Sequence, residues 1–246
     1  MRTVAIIQAR MGSSRLPGKV LVELGGTTML GQVVRRVRDA WQISDVVVAT
    51  STAADDGAVA REAERLGAWV HRGPEADVLA RFVGAARSVC ADVIVRLTAD
   101  CPLLDAGVID LVVGALGPTV DYASNTHDRT FPRGLDVEAL HRDTLERIAR
   151  LGTSQAAREH VTAFVMEQPA LFRIVQVAAE VDDSDLRWTV DTADDLAMVR
   201  GLYEALGLDR AVRPYRDVVA AVRERPELAA GNAHVRQKPW QVNDVA

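Results

Sequence analysis

The sequence predicts an α/β fold with a mostly parallel central sheet flanked by helices. Three observations carry this. Short runs rich in β-branched residues alternate four times with segments whose apolar residues recur every three or four positions. Alternation of that kind builds a parallel sheet covered by helices on both faces. The length of 246 residues, with 48% hydrophobic and 26% charged, fits one domain.

The first strand, Thr3–Gln8, holds the apolar run Val4–Ile7. A helix over 28–40 follows, with Leu30, Val33, Val34 and Val37 on one side. The strand Asp45–Ser51 leads to a helix over 56–66, and a strand over 68–71 to a helix over 76–89. A strand over 92–97, a helix over 105–116 and a strand over 120–124 complete a nucleotide-binding half, about 1–124.

After Asn125 the rhythm changes. An insertion of about 125–180 begins with the polar loop NTHDRTFPRGLDVEAL, which runs into a strand, then helices over 143–150 and 154–168 and a strand near 172–177. A closing part, about 181–229, holds a strand at 187–190, the helix Ala193–Leu206 opened by a capping box at Thr192, and a helix over about 215–225. From Ala230 the periodicity is lost, and 230–246 reads as a flexible or partner-docked tail.

Composition excludes several classes. No apolar run approaches the ~18–20 residues of a membrane span, and the first apolar run is too short for a signal-peptide core. A cytoplasmic protein is therefore expected. Cys90 and Cys101, the two cysteines, are too few for a disulfide scaffold. Net charge is −5, yet residues 1–38 carry seven Lys/Arg against Glu23 alone. A basic N-terminal segment on an acidic protein points to a small anionic ligand and away from nucleic acid. Trp41, Trp69, Trp188 and Trp240 show no stacking-platform spacing.

The loop after the first strand carries the chemistry. Gln8-Ala-Arg-Met-Gly-Ser-Ser-Arg-Leu-Pro-Gly-Lys19 joins small residues to three cations, Arg10, Arg15 and Lys19, where a parallel sheet binds ligands. Five residues separate Gly12 from Gly18, and Val20 follows Lys19, so this is not a Walker loop; nor is a dinucleotide fingerprint present.

The stretch IIQARMGSSRLPGKVL resembles the signature of the sugar-activating cytidylyltransferases, the group of the CMP-3-deoxy-manno-octulosonate and CMP-acylneuraminate synthetases, and within it the spore-coat polysaccharide branch. The resemblance continues through VVATS at 47–51, DVLAR at 77–81, VRLTADCPL at 95–103, FPRGLDVE at 131–138, REHV at 158–161 and RWTVDT at 187–192. It implies a GT-A-like fold, CTP as nucleotide and Mg²⁺ as cofactor. It also implies that Gln8, Ala9, Arg10, Gly12, Ser13, Arg15, Lys19, Thr50, Arg81 and Thr98 bind the nucleotide. Arg15 and Lys19 would be catalytic, because attack on the α-phosphorus builds negative charge that cations stabilise, and Asp100 through the metal it holds.

Asp100 and Asp191 each follow a strand-like run, and by the resemblance they hold the metal. Two carboxylates suit Mg²⁺; as residues alone, Asp100 also reads as a turn residue and Asp191 as a neighbour of the capping box. Arg133, Gly134, Asp136, Glu159 and His160 match segments lining the acceptor pocket of related synthetases. Arg133 suits a carboxylate clamp or a surface turn, and His160 a general base or a packing residue. Cys101 reads as structural.

The expected function is transfer of CMP from CTP to a hydroxyl of a sugar acid or related acceptor. A glycosyltransferase of similar fold is the alternative, although Asp100-Cys-Pro offers one carboxylate where such enzymes carry Asp-x-Asp; a non-catalytic nucleotide-binding protein is the third reading. A homodimer through the insertion is expected as well. Phe131, Leu135, Val137, Leu140, Phe164 and Phe172 need burial, against a second copy or against their own sheet.

Overall fold

A computed structural model describes residues 1–237. Strand β1 (Thr3–Gln8) is buried on both faces: Ala5 and Ile7 join one apolar cluster, Val4 and Ile6 another on the opposite side. A short hairpin of β2 (Glu23–Leu24) and β3 (Thr27–Thr28) precedes α1 (Met29–Arg38) and β4 (Asp45–Ser51). Then come α2 (Gly57–Arg65), β5 (Trp69–Gly73), α3 (Val78–Ser88), β6 (Val93–Thr98) and α4 (Ala106–Ala115). Thr28, Asp77 and Asp105 start α1, α3 and α4 by accepting a backbone N–H three residues on, a cap worth about 1 kcal/mol each.

β1 pairs in parallel with β4 and β6, and β4 with β5. The second half adds β7 (Tyr122–Ser124), β8 (Glu138–His141), α5 (Arg142–Leu151), α6 (Gln155–His160), α7 (Ala163–Glu167), β9 (Ile174–Gln176), α8 (Ala193–Leu206), α9 (Tyr215–Glu224) and α10 (Glu227–Ala230). The sheet order is β5-β4-β1-β6-β8-β7-β9, with β8 antiparallel to both its neighbours. Helices α1, α4, α8 and α9 cover one face, α3 and α5 the other.

The insertion thus continues the sheet. Phe131, Leu135, Val137, Leu140 and Phe172 are buried in their own chain and Phe164 is half-buried. Five of the six apolar residues that called for a partner surface therefore find their cover at home.

Two predicted elements differ. The helix over 154–168 is broken at Val161, a fully buried β-branched residue at φ 55°, ψ −62°. Its neighbours close a γ-turn, Thr162 N–H donating to His160 O at 2.5 Å. The strain, roughly 1–3 kcal/mol, is held by burial and by the Thr162 hydroxyl, which donates to Glu138 Oε1 at 2.5 Å. The segment 187–190 forms no ladder, only an isolated parallel bridge from Arg187 to Arg133. Gly134, at φ 109°, permits that approach: a Cβ there would stand 2.6 Å from Thr189 N.

The segment after Ala230 is not a free tail over 231–237, where Asn232 is 2% exposed against the domain; residues 238–246 lie outside the described residues. No helix among the described residues is long and apolar enough to cross a membrane.

Candidate active site

The loop after β1 crosses the carboxyl ends of the strands and is held by its own backbone. Met11 O accepts the N–H groups of Ser13 and Gly18, both at 3.0 Å, and Gly18 takes φ 71° to make the turn. Met11 N–H donates to Asp56 Oδ1 at 2.6 Å, and Ser51 Oγ to the other oxygen of the same carboxylate. Asp56 is 3% exposed. Sequence reasoning missed this anchor, since an acid opening a helix ordinarily reads as a cap.

So fixed, the loop sends Lys19 inward. Its ammonium donates to Asp100 Oδ2 at 2.7 Å, to Val190 O at 2.8 Å and to Asp191 Oδ1 at 2.9 Å. Asp100 follows the end of β6, and Asp191 follows the bridged segment packed on Gly134. Val190 N–H donates to Asp100 O at 2.8 Å, locking the two segments together. Asp191 Oδ2 also meets Arg15 at 3.0 Å and Arg187 at 2.8 Å. Burial alone would lower the pKa of Lys19, but Asp100 and Asp191 reverse that and leave it above its ordinary value. Burial would raise Asp191, and Lys19, Arg187 and Arg15 hold it below the usual carboxylate range. Lys19 and Asp191 thus face each other as an ammonium and a carboxylate at pH 7.

Around this centre lies a cleft of about 530 Å³. Its wall brings together Gln8, Ala9, Arg10, Gly12, Ser13, Arg15, Lys19, Arg81, Thr98, Asp100 and Asp191. Arg81 is 2% exposed and spends Nη1 on the carbonyls of Pro74 (2.6 Å) and Glu75 (2.8 Å), so it shapes the wall's backbone. Thr50, expected in this group, is not in the wall: it is fully buried near the end of β4, a strand covered on both faces.

A second pocket, of about 850 Å³, holds Arg133, Asp136 and His160 with Arg129, Glu138 and Thr162. Gly134 is outside its wall, its role being the close approach to Thr189. Glu159, in the last turn of α6, lines the first cleft instead. Thr98, Asp100, His160 and Asp191 line both spaces, which therefore meet at the two carboxylates.

Asp136 is committed to Arg129 through two hydrogen bonds of 2.5 and 2.8 Å. Arg133 has no side-chain hydrogen bond among the described residues, and its surroundings disfavour its charge, burial first and then Arg129. A guanidinium without such a partner is chemically suited to an anionic group. Beneath the junction Glu138, 5% exposed, pairs with Arg96 and accepts from Tyr122 Oη and Thr162 Oγ1, both at 2.5 Å. Register makes this possible, β6 setting Arg96 opposite Glu138 of antiparallel β8. Burial, opposed by Glu159 and aided by Arg96 and Arg10, keeps the His160 pKa below its ordinary value, which favours the neutral imidazole at pH 7. Burial pushes the Cys101 thiol far up, as befits a structural residue.

Cations on a strand-end loop, facing two carboxylates where two pockets join, define a nucleotidyltransferase built on an α/β sheet. The cytidylyltransferase family model matches residues 4–199, and the chain belongs to that family. It is 34% identical over 232 residues to the spore coat polysaccharide biosynthesis protein SpsF of Bacillus subtilis, covering 91% of this chain and 95% of that one. It is 37% identical over 152 residues to the 3-deoxy-manno-octulosonate cytidylyltransferase of an Anaeromyxobacter strain, covering 60% and 58%. The solved structure of a cytidylyltransferase from Leptospira borgpetersenii superposes with a TM-score of 0.89 at 31% identity, over 97% of this chain and 99% of that one.

Proposed function

We propose that the protein transfers CMP from CTP to a hydroxyl of a sugar acid or related acceptor and releases pyrophosphate. The observation that carries this is the junction: a nucleotide seated among Arg10, Arg15 and Lys19 meets, at Asp100 and Asp191, whatever occupies the pocket of Arg133. The acceptor oxygen bonds to the α-phosphorus as the bond to the β-phosphate oxygen breaks. The hydroxyl's proton goes to neutral His160, which lines both spaces. Arg10, Arg15 and Lys19 take up the charge on the departing pyrophosphate.

Asp100 and Asp191 fit Mg²⁺. The Lys19 ammonium already stands as a cation among two carboxylate oxygens and one carbonyl oxygen, at 2.7–2.9 Å, and an all-oxygen set with two carboxylates is what this ion takes. Bound there, Mg²⁺ would neutralise phosphate charge. Mixing the protein with each of four nucleoside triphosphates and a panel of sugar acids, with pyrophosphate as readout, tests the assignment: release is expected with CTP and a sugar acid, and release only with another triphosphate overturns it.

Arg133 reads the acceptor. With whichever acid supports turnover, Arg133→Ala is expected to raise its KM roughly ten- to hundredfold, the scale of one charge-assisted contact of about 1.5–3 kcal/mol, and to leave the KM for CTP unchanged. Steady-state kinetics varying each substrate separately checks this.

The protein is also proposed to pair with a second copy, now on different grounds. Among the described residues strand β9 is an open sheet edge in the insertion, and Leu171 beside it is 50% exposed. Light scattering should give twice 26.6 kDa; the monomer mass rejects it.

A further inference from the structure

Beyond α10 the chain returns to the segment that carries Asp191. Three side chains of residues 231–237 contact residues 187–195. Asn232 Nδ2 donates to Arg187 O at 3.0 Å and to Asp195 Oδ1 at 2.8 Å. His234 Nε2 lies 3.0 Å from Asp194 Oδ2, and Gln237 Oε1 accepts from Arg187 Nη1 at 2.7 Å.

What they contact is the support of Asp191. Asp195 is fully buried, and its Oδ2 accepts the backbone N–H groups of Asp191 at 2.9 Å and Thr192 at 3.0 Å. Arg187 donates to both oxygens of Asp195, at 2.9 and 3.2 Å, and to Asp191 Oδ2 at 2.8 Å. One pair, Arg187 and Asp195, thus fixes the backbone and the side chain of Asp191 together. The two hydrogens of the Asn232 amide go one to each member of that pair, to the Asp195 carboxylate and to the main-chain carbonyl of Arg187. Asn232 is itself 2% exposed. In a buried network each member's geometry depends on the others being satisfied, and the groups that orient a metal's ligands set its affinity.

The geometry points to Asn232 as a positioning residue for the reaction centre, holding Asp191 in place through Asp195 and Arg187. This rests on reading Asp191 as a metal-holding carboxylate. It makes the segment 231–237, which follows the part of the chain matched by the family model, a working part of the site. The amide is suited to the post and its acid is not: Asp at 232 would set a second carboxylate against Asp195.

The test uses Mn²⁺ as probe on the full chain. Mn²⁺ is titrated by electron paramagnetic resonance into the CTP complex of the wild type, Asn232→Leu and Asn232→Ser, and CTP affinity is measured separately in EDTA. Asn232→Leu removes both donors, and the Mn²⁺ Kd is expected to rise about tenfold or more, with CTP affinity in EDTA within about twofold of the wild type. Asn232→Ser keeps one short donor and should fall between; it decides the matter should the leucine variant not fold. Mn²⁺ affinity within twofold of the wild type in a folded variant overturns the proposal. So does an equal loss of CTP affinity in EDTA, which marks general damage. A wild-type CTP complex that binds no Mn²⁺ removes the metal reading itself, a result distinct from both.

Discussion

Asp191→Asn is expected to cut metal-dependent pyrophosphate release by roughly a hundredfold or more, the scale of several kcal/mol of lost charge stabilisation, while leaving CTP binding in EDTA unchanged or tighter. The opposed signs follow from one carboxylate's neighbours. Asp191 neutralises Lys19, Arg15 and Arg187 at 2.8–3.0 Å. With Asn in its place the shape stays and the charge goes, so the cleft turns more positive and attracts a tetra-anion more strongly, while a divalent cation loses half its carboxylate set. Asp100→Asn should show the same split more weakly, because Asp100 carries one of these cationic contacts and Asp191 three. Titration calorimetry with CTP in EDTA, beside turnover against Mg²⁺ concentration, measures both arms. Near-full turnover at limiting Mg²⁺ in each variant would sink the two-carboxylate site, and a drop in both arms together would mean damage to the fold.

Much of this arrangement is legible in the sequence because it is local. The β1 loop writes its cations, small residues and left-handed Gly18 into one run, and β6 leads straight to Asp100. The alternation of apolar periods up to residue 124 is likewise local and matches the elements found there, with boundaries moved by a few residues. What sequence reading missed depends on contacts between distant segments. The residues 187–190 look like a strand, yet their neighbour is the loop at Gly134, which offers a single bridge in place of a ladder. The helix over 154–168 has the right period, and its break at Val161 is set by a glutamate on β8, 23 positions before it, that captures Thr162. Thr50 sits in a family motif, but β4 is covered on both faces and buries it. Asp56 and Asn232 carried no signal as anchors, since a buried anchor becomes visible only once its partners, 45 and 37 positions away, are known.

Lys19→Ala is expected to move two affinities in opposite directions. The Lys19 ammonium uses all three of its hydrogens on Asp100, Val190 O and Asp191, the same oxygens a divalent ion would take. A cation at that point excludes another by occupancy and by repulsion, which is strong where solvent is scarce. Lys19 is 8% exposed. Wild-type protein without nucleotide should therefore bind Mn²⁺ weakly. Removing the ammonium uncovers two carboxylates, and Mn²⁺ affinity of ligand-free Lys19→Ala should rise about tenfold or more, a change of at least about 1.4 kcal/mol. CTP affinity in the presence of metal should fall roughly ten- to hundredfold, because the triphosphate loses a charge-assisted contact of about 1.5–3 kcal/mol. Arg15→Ala, whose guanidinium pairs with Asp191 and with no other acid among the described residues, should reproduce the second effect with little of the first. A Mn²⁺ titration without nucleotide separates the two variants. Equal, tight Mn²⁺ binding by wild type and Lys19→Ala would show that the lysine does not compete for the site, and unchanged CTP affinity in both variants would remove the loop from nucleotide binding.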